Sequence, residues 1–178
     1  MRWQRLFDDL EAQLRAAESA GHDADVLGLA AVERARQSLV ARLAAGATPV
    51  ELVLAGGARV RGAVVHYGAD WLALSDGSNE VLVLAHAITQ AGAPVRSSGD
   101  HASKLGLRTL LRGLARRRCY VQAGLSSGQS FGGTLDAAGA DHVELALHDA
   151  DVPRRTADIR SVVLVPFGAL CWLRYGER

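Results

Sequence analysis

VELVLAGGARVRG (residues 50–62) and VQAGLSSGQSFGG (residues 121–133) are two versions of one pattern, and the match between them decides how the chain is read. The register runs through residues 50–74 and 121–145 at a constant offset of 71. Val50, Leu54, Gly57, Gly62, Gly68, Ala69, Asp70 and Leu74 meet the same residue types at Val121, Leu125, Gly128, Gly133, Gly139, Ala140, Asp141 and Leu145. It resumes at an offset of 82, where Val81-Leu82-Val83 returns as Val163-Leu164-Val165 and Ala87 as Ala169. The second copy thus carries an 11-residue insertion, and the chain is a duplicated small domain.

Within a copy the period is two. Val50, Leu52 and Leu54 alternate with polar or small residues, Gly56-Gly57 makes a tight turn, and Val60, Gly62 and Val64 resume the alternation, which is a β-hairpin. Gly68-Ala69-Asp70 turns the chain into Leu72 and Leu74. A turn at Asp76-Gly77-Ser78-Asn79 then leads to short strands at residues 81–84 and at Ile88. Five short strands predict a small closed barrel in each copy, bent at the glycine of its second strand, Gly62 or Gly133. Val50, Leu54, Val64 and Leu74 are expected in one core, and Val121, Leu125, Leu135 and Leu145 in the other. The insertion, at residues 148–160, is polar and predicts an exposed loop or extended hairpin.

Outside the copies the period changes to that of helices. Trp3, Leu6, Phe7, Leu10, Leu14 and Ala17 predict an amphipathic helix over residues 3–20, and Leu29, Val32, Leu39 and Leu43 a second over residues 24–45. The two read as an antiparallel hairpin. A linker at residues 92–103 and a helical segment at residues 104–118 connect the copies. The predicted fold class is therefore α+β, a helical hairpin (1–46) followed by two tandem five-stranded barrels (47–94 and 119–178) joined by a linker and basic helix (95–118).

The order V-x-x-x-L-x-x-G-x-x-V-x-G over residues 50–62, the turn with Asp70, and the closing Val83-Leu84-Ala85-His86-Ala87-Ile88-Thr89 resemble the Sm-like (Hfq-like) family over about 45 residues of each copy. Long, duplicated, helix-bearing proteins of this kind in high-GC Gram-positive bacteria are similar. The resemblance implies Sm-like barrels that bind RNA through the loop at residues 67–71 and the loop at residues 85–87, with His86 matching a pore histidine. Ala85 stands where that family has a lysine. In the second copy Ala137, Ala138 and Gly168 replace His66, Tyr67 and His86.

A formal charge of +1 over 178 residues excludes a uniformly basic surface and leaves room only for a local patch. Asp8, Asp9 and Glu11 interrupt the N-terminal pattern in a way a signal peptide does not, and no run of about 18 apolar residues suggests a span, so a cytoplasmic protein without a membrane role is expected. Cys119 and Cys171 read as buried thiols.

The patch lies between the copies. Lys104, Arg108, Arg112 and Arg116 recur every four residues, Arg117 and Arg118 follow, and Leu107, Leu110, Leu111 and Leu114 take the other side of the helix. No Asp or Glu occurs between Asp100 and Asp136. Such a stripe can follow a phosphate backbone; the alternative is a solvated face, or arginines paired with the acidic hairpin. Tyr67, Trp71, His66 and His86 could form a stacking platform for bases, although an outward Trp71 could equally be covered by the hairpin or a partner. Asp70 and Asp141 are explained by turn capping, and His148, Asp149 and Asp151 by a polar loop rather than a metal site. Without a phosphate loop, nucleophile motif or cysteine cluster, neither an enzyme nor a cofactor is expected. Two functions stay open. One is RNA or single-stranded nucleic-acid binding through Lys104, Arg108, Arg112, Arg116, Arg117 and Arg118 with Tyr67, Trp71 and His86. The other is a protein–protein interaction scaffold, with a protein partner or a homo-oligomer.

Overall fold

The glycine turns form as their sequence demands. Leu54 N–H donates to Ala58 O and Gly57 N–H to Leu54 O at 2.8 and 2.9 Å; the second copy repeats both bonds at Leu125–Gln129 and Gly128–Leu125, at 2.9 and 3.0 Å. Gly56, Gly57 and Gly128 all hold positive φ near 82–85°, a region open to glycine at little cost. A computed structural model describes residues 37–45, 49–75, 77, 79–92, 106–152 and 154–175. All but Gln37 belong to one compact unit, Ser38–Arg178.

The first copy comprises helix α1 (Leu39–Ala44) and strands β1 (Val50–Leu54), β2 (Arg59–Tyr67), β3 (Trp71–Ser75), β4 (Glu80–Leu84) and β5 (Ile88–Ala91), with a 3-10 turn at Ala85–Ala87. The second comprises α2 (Leu107–Arg116), β6 (Tyr120–Leu125), β7 (Ser130–Ala138), β8 (His142–Leu147), β9 (Ser161–Pro166) and β10 (Leu170–Tyr175), with a 3-10 turn at Thr156–Asp158. The duplication is wider than its sequence signature, since each copy begins with a helix. It also extends to irregularities: the β2–β3 ladder slips between Val64 and His66, and the β7–β8 ladder slips at the equivalent Leu135 and Ala137.

The expected α+β arrangement of a helical hairpin and two separate barrels is overturned. The strands make one open ten-stranded antiparallel sheet in the order β5-β1-β2-β3-β4-β10-β6-β7-β8-β9, and two short α-helices accompany it among the described residues. The reason lies in β4. To close a five-stranded sheet on itself, its outer hydrogen-bonding edge would have to meet β5. That edge is occupied by β10 instead, with Leu82 opposite Leu173 and Val83 opposite Trp172. β10 meanwhile pairs with β6 on its other side, so the second copy's last strand knits the halves together. Of the expected hairpin, residues 1–36 lie outside the described residues. α1 begins only after Ser38, whose Oγ accepts from Ala41 N–H at 3.2 Å, and its register buries Val40 and Leu43 while leaving Leu39 47% exposed.

Two apolar clusters result. The first joins Val40 and Leu43 of α1 to Val50, Leu52, Leu54, Leu72, Leu74, Val81 and Val83. The second takes the opposite faces of β3 and β4, at Trp71, Ala73, Leu82 and Leu84, and packs them with Leu107 and Leu111 of α2 and with Val121, Leu135, Val143, Leu145 and Leu173. β3 and β4 are thus buried on both faces. The basic helix is no free linker, because it packs on β7 and its leucines share the cluster with Trp71. The insertion is tied back by Arg154, which makes a two-pronged hydrogen-bonded ion pair with Asp136, the residue at the β7 irregularity.

Candidate nucleic-acid interface

Helix α2 is where the sequence concentrates positive charge, and its packing decides which side shows it. Leu107, Leu111 and Ala115 are buried and Leu110 and Leu114 are half-buried, which leaves Arg108, Arg112 and Arg116 exposed along the opposite face. Arg117 and Arg118 close the helix, also exposed. Arg118 N–H donates to Ala115 O at 2.9 Å and Cys119 N–H to Leu114 O at 3.3 Å, a capping arrangement in which Arg118 takes φ +50°. Glycine is the usual residue there, and an arginine costs about 1 kcal/mol more. No ion pair among the described residues engages Arg108, Arg112, Arg116, Arg117 or Arg118. Arg116, Arg117 and Arg118 sit at the helix C-terminus, which suits cations. Lys104 lies outside the described residues.

Two concavities flank this helix. One, of about 230 Å³, is lined by Asp70, Leu84, His86, Leu107, Arg108 and Phe167. It brings together equivalent loops of both copies, since Phe167 corresponds to Ala85 by the 82-residue offset. The other, of about 280 Å³, is more apolar and is lined by residues including His66, Trp71, Glu80, Leu82, Leu110 and Tyr175.

The sequence-predicted site is therefore split. His86 and Arg108 share one concavity. Trp71 is only 2% exposed and belongs to the cluster beneath α2, so it supplies a wall rather than an open stacking face. Tyr67 is half-buried against the other cluster, with Val64 and Ala85. Sequence reading missed the acidic surroundings of Arg108. Asp70 lines the same concavity, and the Asp141 carboxyl is held below its usual range, chiefly by a hydrogen bond with His142 (Nδ1···Oδ1 2.8 Å), with the Arg108 charge a lesser contributor. His142 also lies 3.9 Å from Glu144. These acidic neighbours sit by the first arginine of the stripe.

Among the described residues no group of His, Cys, Asp and Glu side chains is placed to hold a metal ion. His148 is buried, with Nε2 2.7 Å from Thr134 Oγ1 and Nδ1 2.8 Å from Asp149 O, so both ring nitrogens are engaged. Cys119 and Cys171 are buried free thiols. Among the described residues no helix is long and apolar enough to cross a membrane. The chain matches no family model and no curated protein, so the Sm-like resemblance rests on the residues that carry it.

Proposed function

We propose that the chain is a non-enzymatic binding protein for RNA or single-stranded nucleic acid, gripping phosphates through the exposed arginines of α2. The observation that carries this reading is the face made by Arg112, Arg116, Arg117 and Arg118 with Arg108 at its far end. It is exposed, without an ion pair among the described residues, and fixed to the sheet by leucines on its other side. Retention of arginine in the left-handed conformation at Arg118 fits the same reading, because that strain has no packing return on an exposed side chain. With Trp71 buried, phosphate contact rather than base stacking dominates. Binding should then be tolerant of base sequence and strongly dependent on salt.

The test is a set of titrations at several salt concentrations. Arg108→Glu/Arg112→Glu/Arg116→Glu keeps the leucine face and should lose most binding. Each lost phosphate contact on a single strand flattens the slope of log affinity against log salt by about 0.7. Arg118→Gly removes one charge and the strain together, so its Tm should hold or rise while affinity falls. If intact wild-type protein binds neither single- nor double-stranded RNA or DNA at low salt, the reading is lost and the protein–protein scaffold takes its place.

A further inference from the structure

Helix α2 leaves a gap where it lies over the first copy's strands. The cleft, of about 280 Å³, is lined by the half-buried Leu110 and Leu114 of the helix and by the buried Trp71, Ala73 and Leu82 of the sheet. Folded interiors seldom leave a void larger than a water molecule, and water settles in one only where polar partners surround it. Hydrocarbon and indole make up these walls, so an apolar body suits the space better than solvent does.

Strand register gives the cleft two unlike ends. His66 lies opposite Ala73, while Glu80 lies opposite Ser75 on one side and Tyr175 on the other. Ser75 is four residues along β3 from Trp71, so the Glu80 end stands about 13 Å along the strand from the Trp71 end. One end is thus aromatic and the other carries a carboxylate beside a phenol. Glu80 is exposed, and no ion pair among the described residues engages it. It is also the single Asp, Glu, Lys or Arg among the lining residues.

The duplication shows that these ends are no by-product of the fold. At the equivalent positions of the second copy, Ala137, His142 and Val162 stand in place of His66, Trp71 and Glu80. The strands are shared, but the pairing of an indole with a carboxylate belongs to the first copy.

We propose that this cleft binds an organic ammonium ion with an elongated apolar body, the body held between Trp71 and the leucines of α2 and the ammonium group donating to the Glu80 carboxylate. Removal of the body from water supplies the affinity, and the carboxylate selects the cation. An anion of the same shape meets repulsion at Glu80. None of the lining residues belongs to the arginine face, so binding here stands or falls separately from nucleic-acid binding.

Nuclear magnetic resonance titration of the nuclease-treated full chain tests it, with phenylbutylammonium as the probe and phenylbutanol as its neutral counterpart. The ammonium probe should produce saturable shifts of the Trp71 indole N–H and of the Leu110 and Leu114 methyl groups. Glu80→Gln alters an exposed side chain and should leave the rest of the spectrum in place. It should weaken the ammonium probe about fivefold, as the loss of an exposed ion pair does, and leave the alcohol unchanged. Three results overturn the proposal: no saturable shift at millimolar ammonium probe, saturable shifts confined to residues outside the cleft, or equal affinity of that probe for wild type and Glu80→Gln.

Discussion

At one pair of equivalent positions the two halves use the same backbone for opposite ends. In both, a glycine N–H donates to the carbonyl three residues on, Gly68 to Trp71 at 3.0 Å and Gly139 to His142 at 2.9 Å. In both, the side chain at the far end folds back over that glycine, so closely that a methyl group there would collide with it. The first half places an indole at this point and buries it under α2. The second places an imidazole, half-exposed, between Asp141 and Glu144. The turn is common property, and the use made of it depends on what lies on top. β3 is covered on its outer face by the helix that opens the second copy, whereas His142 and Glu144 on β8 keep part of their surface exposed.

The largest expected effect breaks this pair apart. Trp71→Ala should cost about 3–5 kcal/mol, the range for emptying a large aromatic from a core. His142→Ala, on a partly open surface, should stay within about 0.5 kcal/mol of wild type. Chemical denaturation of both variants checks the contrast, and equal costs would mean that Trp71 is not the keystone between α2 and β3. A smaller difference is expected two strands earlier. Leu54 is 1% exposed and Leu125 half-buried, so Leu54→Ala should cost about 2–5 kcal/mol and Leu125→Ala clearly less.

The positions of the strands were legible because alternation and glycine turns are local signals. Closure of each copy into its own barrel was not, since it depends on which distant strand takes the outer edge of β4. A clue was nevertheless present. Trp71-Leu72-Ala73-Leu74 and Val81-Leu82-Val83-Leu84 are unbroken apolar runs, and such runs mark strands buried on both faces rather than half-exposed barrel walls. β8, by contrast, interrupts its run with Glu144 and is buried mainly on one side. The arginine spacing and its exposed face were readable from helical geometry. The approach of Asp141 to Arg108 was not, because the two residues are far apart in the chain.

The smallest effect concerns Asp141, which is followed by His142 where Asp70 of the first half is followed by Trp71. The carboxyl is depressed below 3.8 in the folded state, first by the hydrogen bond with His142, and the unfolded chain has no such bond. A depressed carboxylate binds fewer protons folded than unfolded in the acid range. Its contribution to stability is therefore present above the unfolded value near 3.8 and disappears as pH falls through the folded one. Because the group is exposed, solvent screens the interaction and the gain is small. Asp141→Asn should accordingly melt slightly lower than wild type above the carboxyl's unfolded value, and the two melting curves should draw together as the solution is acidified below the carboxyl's folded value. The side-chain carbonyl resonance of Asp141 gives the direct reading. It should titrate below 3.8 in wild type and move upward in His142→Ala, whereas a midpoint that ignores His142 would assign the depression to the surrounding charges, Arg108 among them.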